Sequence, residues 1–108
     1  AQHEIKGDKL VTVIFEFSQD EAFVDLSIFD IAKIEDASKR EKLLELINER
    51  NMSYRFGKFF VSDDGNIVMR WSLFIKDHFD PAFLLDMAFM LVGNVEEEYP
   101  KFMKLQWD

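Results

Sequence analysis

The chain has 108 residues, a formal net charge of -8, a sequence pI near 4.7 and no cysteine. A surface this acidic repels phosphate backbones and anionic lipid, which argues against nucleic-acid binding. Without thiols there are no disulfides, no thiol catalysis and no thiolate metal sites. No apolar run approaches the ~20 residues of a membrane span, so we expect no membrane insertion.

Hydrophobic residues make up 48% and charged residues 31%, which suits a folded chain of one domain over residues 1–108. Residues 1–8 read as a loose N-terminal segment. The chain starts at Ala1, which leaves room for a removed leader or N-terminal element. We take the location as cytoplasmic. Phenylalanine is abundant, at 12 residues, so either the core is dense or some rings are kept for a partner.

Residues 9–17 alternate as a strand, with Val11, Val13, Phe15 and Phe17 on one face. A polar turn at Ser18, Gln19, Asp20 and Glu21 leads to a second strand over 22–34. Pairing Phe17 with Ala22 sets Phe15 against Val24, Val13 against Leu26 and Lys9 against Asp30. Ser38 and Glu41 then fit a capping box before a helix whose stripe is Leu43, Leu44, Leu46 and Ile47. Asn51 is its expected left-handed stop.

Two strands over 52–62 and 66–76 flank Asp64-Gly65, a dipeptide suited to a two-residue turn. That turn puts Phe56, Phe60, Met69, Trp71 and Leu73 on the core face. Phe59, Val61, Val68, Arg70 and Phe74 fall on the other face, with Phe59 placed for a cation–π contact to Arg70. A turn one residue longer would exchange the faces in one strand.

The last helix starts at an Asp80 N-cap followed by Pro81, with Phe79 and Leu84 as a hydrophobic staple. Over 82–92 only Asp86 is polar, so apolar side chains point all round the axis. One sheet face cannot cover them all. A dimer mate, a client or a further N-terminal element would account for the excess. Pro100 is expected to kink or restart the helix near Tyr99.

Catalytic machinery is not visible. No Gly-x-Ser-x-Gly elbow or Gly-rich phosphate loop occurs. Asp77, His78 and Asp80 could hold a metal in principle, but Asp80 is already explained as a cap. Glu96, Glu97 and Glu98 read as a solvated face. We expect no enzyme, no cofactor and no metal.

From Leu43 onward the pattern resembles the YbjN family, the group labelled bacterial sensory transduction regulators. The carriers are Leu46-Ile47-Asn48-Glu49-Arg50-Asn51, Arg55-Phe56-Gly57-Lys58-Phe59, the Asp63-Asp64-Gly65-Asn66-Ile67-Val68 hairpin, and a long apolar helix holding Glu98-Tyr99-Pro100. The resemblance implies an α+β fold like that of class I type III secretion chaperones and a dimeric, non-enzymatic interaction protein. It supplies no catalytic residues. Residues 1–8 are too short for the helix that such proteins carry before the first strand.

These readings give an antiparallel sheet of about four strands with two helices packed on it, in the order ββαββα. The expected function is a chaperone-like or regulatory module that homodimerises and binds a protein partner. Phe59, Val61, Val68 and Phe74 on the hairpin, with Phe83, Met87 and Met90 on the last helix, are the expected partner-binding residues. The alternative is a small-molecule sensor with an apolar pocket between the sheet and the last helix.

Overall fold

The computed structural model describes residues 2–5 and 9–108. Five strands, β1 (Gln2–Ile5), β2 (Lys9–Phe17), β3 (Phe23–Lys33), β4 (Lys58–Val61) and β5 (Asn66–Phe74), form one antiparallel sheet in the order β1-β2-β3-β5-β4. Helix α1 (Arg40–Asn51) follows β3, and α2 (Pro81–Trp107) ends the chain. The α+β class and the two helices agree with the sequence reading, but the sheet has five strands instead of four. The extra strand comes from the segment read as loose: His3 pairs with Val11, and Ile5, paired with Lys9, is buried. Ala1 and residues 6–8 of that segment lie outside the described residues.

The β2–β3 hairpin keeps its expected faces in a different register. Phe15 pairs with Leu26 and Phe17 with Val24, a slip of two residues. Slips of two preserve the alternation, so hydrophobic patterning cannot detect them. The cause is a longer turn. Asp20 accepts hydrogen bonds from Ser18 Oγ and the Ala22 amide, and Glu21 takes a left-handed φ of 56°. Further along β3 a bulge separates the Ile28–Met69 and Ala32–Ile67 pairs. Asp30 there has φ 64°, and its carboxylate accepts from Thr12 Oγ1, so its partner is Thr12 and not Lys9.

The second hairpin corrects the face assignment of β4. Its loop holds three residues, because Val61 pairs with Ile67 and the Ser62 amide donates to the Asn66 carbonyl. Gly65, at φ 90°, closes that loop in the conformation typical of a three-residue hairpin. The added residue turns Phe59 and Val61 inward and Phe60 outward. Arg70 accordingly lies over the Phe60 ring, 5.0 Å from its centroid, and not over Phe59. Strand β4 is also shorter than expected: Tyr54 and Phe56 precede it in a loop.

A side chain at Gly65 would face two penalties. Its φ disfavours L-residues, and a Cβ would stand 2.2 Å from the Ile34 carbonyl oxygen, a backbone atom with little freedom to yield. We expect Gly65→Ala to lower stability by about 2 kcal/mol or more, read as a shift in urea midpoint.

Helix α1 starts differently from the expected capping box. Asp36 caps a short 3-10 turn at Ala37–Lys39 by accepting from the Ser38 amide, and Lys39 at the α1 N-cap makes no side-chain cap. Leu43 and Ile47 are buried, Leu46 is half-buried and Leu44 is exposed. Asn51 does not end the helix in a left-handed conformation. It lies inside α1, and its amide brackets β4: Nδ2 donates to the Phe59 carbonyl (3.0 Å) and Oδ1 accepts from the Phe59 amide (2.7 Å).

Helix α2 begins as expected, with Asp80 accepting from the Ala82 and Phe83 amides and Pro81 in the first turn. Pro100 does not restart the helix: it lies inside one helix that runs on to Trp107. Gln106 Nε2 donates to the Lys33 carbonyl, and Lys39 Nζ donates to the Gln106 carbonyl. Both helices pack on the same side of the sheet, around Leu26, Ile28, Ile67, Met69, Leu91, Val95 and Phe102.

Candidate interaction surface

Leu84, Ala88, Leu91, Val95, Glu98 and Phe102 of α2 recur at alternating spacings of four and three, and all are buried. This stripe faces the sheet. The remaining apolar side chains of α2 fall on two flanks, because no second layer covers the helix among the described residues.

On one flank Phe83 and Met90 are exposed, with Met87 buried between them and the core. Phe83 meets Trp71 of β5 edge to face at 6.1 Å, and Trp71 meets Phe56 at 6.4 Å. An aromatic string therefore runs from the helix across the sheet to the loop before β4, with Phe56 and Phe83 exposed at its ends. The other flank presents Leu85 and Phe89 toward β1, where Phe89 contacts the His3 ring at 6.3 Å. Strand β2 adds exposed Phe15 and Phe17, and Phe17 stacks edge to face on Phe79 at 5.6 Å. Continuous apolar surface of this kind marks contact sites in soluble proteins.

The seven expected partner-binding residues separate into three places. Phe59 is core, 3% exposed, with its ring against Phe102 at 5.2 Å. Val61 is half-buried beside it. Val68 and Phe74 stay on the helix-free face, where Val68 is buried and Phe74 is exposed against Phe23. Phe83, Met87 and Met90 lie together on the α2 flank. The structure thus removes Phe59 from any open surface. It adds Phe56 and Trp71, which the sequence reading places on the core face.

One polar cluster was also misread. Glu98 is not a solvated acid: it is 1% exposed and sits on the buried stripe. Its Oε2 meets Arg50 Nε at 2.7 Å and Lys101 Nζ at 3.1 Å, and Tyr54 donates to its Oε1 at 2.7 Å. Burial pushes the Glu98 pKa up. The Tyr54 and Lys101 hydrogen bonds and the Arg50 charge outweigh it, so the carboxyl titrates below its ordinary range. Burial first, then the bond to Glu98, pushes the Tyr54 hydroxyl well above its usual value. The cluster ties the C-terminal end of α1 to α2. The i, i+3/i+4 spacing of Glu98 from Val95 and Phe102 was the available signal.

Among the described residues no three His, Asp or Glu side chains gather as a metal-holding group. No helix of the described residues is long and apolar enough to cross a membrane. What the geometry defines is an α+β protein with uncovered apolar flanks beside one long helix. Residues 4–94 match the model of the YbjN family, whose description reads "Putative bacterial sensory transduction regulator". The chain belongs to that family. The match ends before Glu98-Tyr99-Pro100, so that part of the resemblance lies outside it. Searches of the curated proteins and of the solved structures gave no match.

Proposed function

We propose that this protein is a non-enzymatic regulatory module that homodimerises and binds a protein partner, in the manner its chaperone-like resemblance implies. The observation that carries the reading is the Phe56–Trp71–Phe83 string with Met90 beside it. Large apolar groups left open on an acidic chain gain free energy when a second surface removes them from water. The family's description as a regulator is compatible with such a role. We assign this flank of α2 to the contact between two copies.

The space that a sensor's apolar pocket would need, between the sheet and α2, holds Leu26, Ile28, Met69, Leu91, Val95 and Phe102, all at 0% exposure. That packing favours the interaction reading over the small-molecule one.

Phe83→Glu places a charge at the centre of the proposed contact. In sedimentation velocity the wild type is expected as a dimer and the variant as a monomer. Leu44→Glu, exposed on α1 away from the flank, should sediment as the wild type does. A monomeric wild type, or a Phe83→Glu variant that dimerises as well as the wild type, would refute the assignment.

A further inference from the structure

The pairing of β3 with β5 breaks in one place. Ile28 pairs with Met69 and Ala32 with Ile67, so Phe29, Asp30 and Ile31 stand opposite Val68 alone. Asp30 takes up the extra length with its φ of 64°, a conformation that aspartate adopts more readily than most residues. Bulges of this kind re-aim side chains and recur beside functional sites. Here the bulge borders a depression of about 440 Å³ on the helix-free face, within the range of small-ligand sites. Val68, Phe29 and Phe60 are its apolar lining, and Val68 is buried. Every residue around it comes from β3, β4, β5 or the loop between β4 and β5.

Two opposite charges border this apolar patch. Arg70 lies over the Phe60 ring, and its Nε donates to Ser27 Oγ at 2.9 Å, which orients the guanidinium. Asp30 accepts from Thr12 Oγ1 at 2.5 Å. Neither Arg70 nor Asp30 belongs to an ion pair of the described residues, with each other or with a third group. The other acid of the rim, Asp64, is already matched: Ser62 Oγ and Asn66 Nδ2 donate to it, and Lys33 Nζ stands 4.0 Å away. The outer nitrogens of Arg70 can therefore donate to a carboxylate, the planar partner that a guanidinium fits best. The Asp30 carboxylate, beside the same apolar patch, can accept from an ammonium.

We propose that this depression binds a small zwitterion with an apolar body: an amino acid or a dipeptide whose amine and carboxylate are both free. The carboxylate pairs with Arg70, the ammonium pairs with Asp30, and the apolar side chain covers Val68 between Phe29 and Phe60. Amino acid and dipeptide share this chemistry and differ in the distance between their charges. The site goes beyond the interaction reading above, and it lies on the opposite face of the sheet from the proposed dimer contact.

The test is isothermal titration calorimetry of the full chain with L-phenylalanine and with alanyl-phenylalanine. Each is also titrated with its amine acetylated and with its carboxylate amidated. At least one of the two free forms is expected to bind, and the tighter one identifies the spacing of the charges. Each cap should weaken that ligand by roughly tenfold or more, as expected for loss of a charge-assisted hydrogen bond. Arg70→Gln should weaken it as much and abolish the further effect of amidation. Asp30→Asn should do the same for acetylation, since asparagine tolerates the φ of 64° at that position. Arg55→Gln, the same charge change on an exposed loop, should alter binding by less than about twofold. Phe83→Glu should bind the ligand as the wild type does, whether or not it dimerises, so the two readings fail separately. Absence of binding by both free ligands would overturn the proposal, as would equal binding of their capped forms. A full amidation effect remaining in Arg70→Gln, or a full acetylation effect in Asp30→Asn, would place the charges elsewhere and overturn it too. Equal weakening by Arg55→Gln would reduce the effect to bulk charge, and loss of binding in Phe83→Glu would move the ligand to α2; either result sinks the proposal. The capped ligands are read on the unaltered chain, so that arm is decisive even where a variant misfolds.

Discussion

Arg50→Met is expected to destabilise the protein by about 3 kcal/mol, because it leaves the Glu98 carboxylate buried without its closest cation. Arg50 is 19% exposed on its side chain and Glu98 is 1% exposed, so solvent cannot replace the lost partner at Glu98. For a chain of this size the loss corresponds to a fall in Tm on the order of 15 °C. Glu98→Leu should cost less. It removes the buried charge itself and leaves Arg50 and Lys101, which both reach solvent. The two variants therefore separate a penalty for an unpaired buried charge from simple loss of contact.

The same cluster fixes the pH response. The folded Glu98 pKa lies below its ordinary value of 4.5, so the cluster's contribution is complete above that value. It is lost as pH falls further, through the folded pKa. Tyr54 works in the opposite sense. Its folded pKa lies above the ordinary 10.0, so stability is retained below pH 10 and declines as pH rises beyond it. Thermal melts between these limits should show a plateau for this cluster, and Arg50→Met, which removes a cause of the lowered Glu98 pKa, should shrink the cluster's acid loss below pH 4.5.

Phe102→Ala is expected to have the largest effect, about 4 kcal/mol, through lost burial and the cavity left behind. The ring is at 0% exposure and packs edge to face on Phe59. Urea denaturation should show a lower midpoint with an unchanged slope. Trp107→Ala near the same end of α2 should change stability by no more than about 0.5 kcal/mol, since Trp107 is largely exposed. The contrast tests whether α2 past Pro100 is part of the core.

The elements whose pattern carries direct physical information were legible in the sequence. Asp80, Pro81 and the apolar run after them marked the start of α2, and alternation marked β2 and β3. What escaped depended on quantities that alternation does not encode. The two-residue slip at Phe17 and Val24 leaves every face unchanged. The single added residue at the Gly65 loop moved Phe59 from the expected surface into the core and left Phe56 against Trp71. Strand β1 is only four residues long and had no pattern to expose it. Glu98 was masked by its two acidic neighbours, although its place in the stripe of Val95 and Phe102 was visible. Of the expected contact residues, Phe83 and Met90 are exposed together, because helical periodicity is insensitive to strand register.

The central claim is that the α2 flank with Phe83 and Trp71 is covered by a second copy of the chain. Light scattering on the unmodified protein over a concentration series tests it most directly. The account predicts a mass of twice the 12.8 kDa chain, declining toward a single chain only on strong dilution. A mass of one chain at every concentration would contradict it.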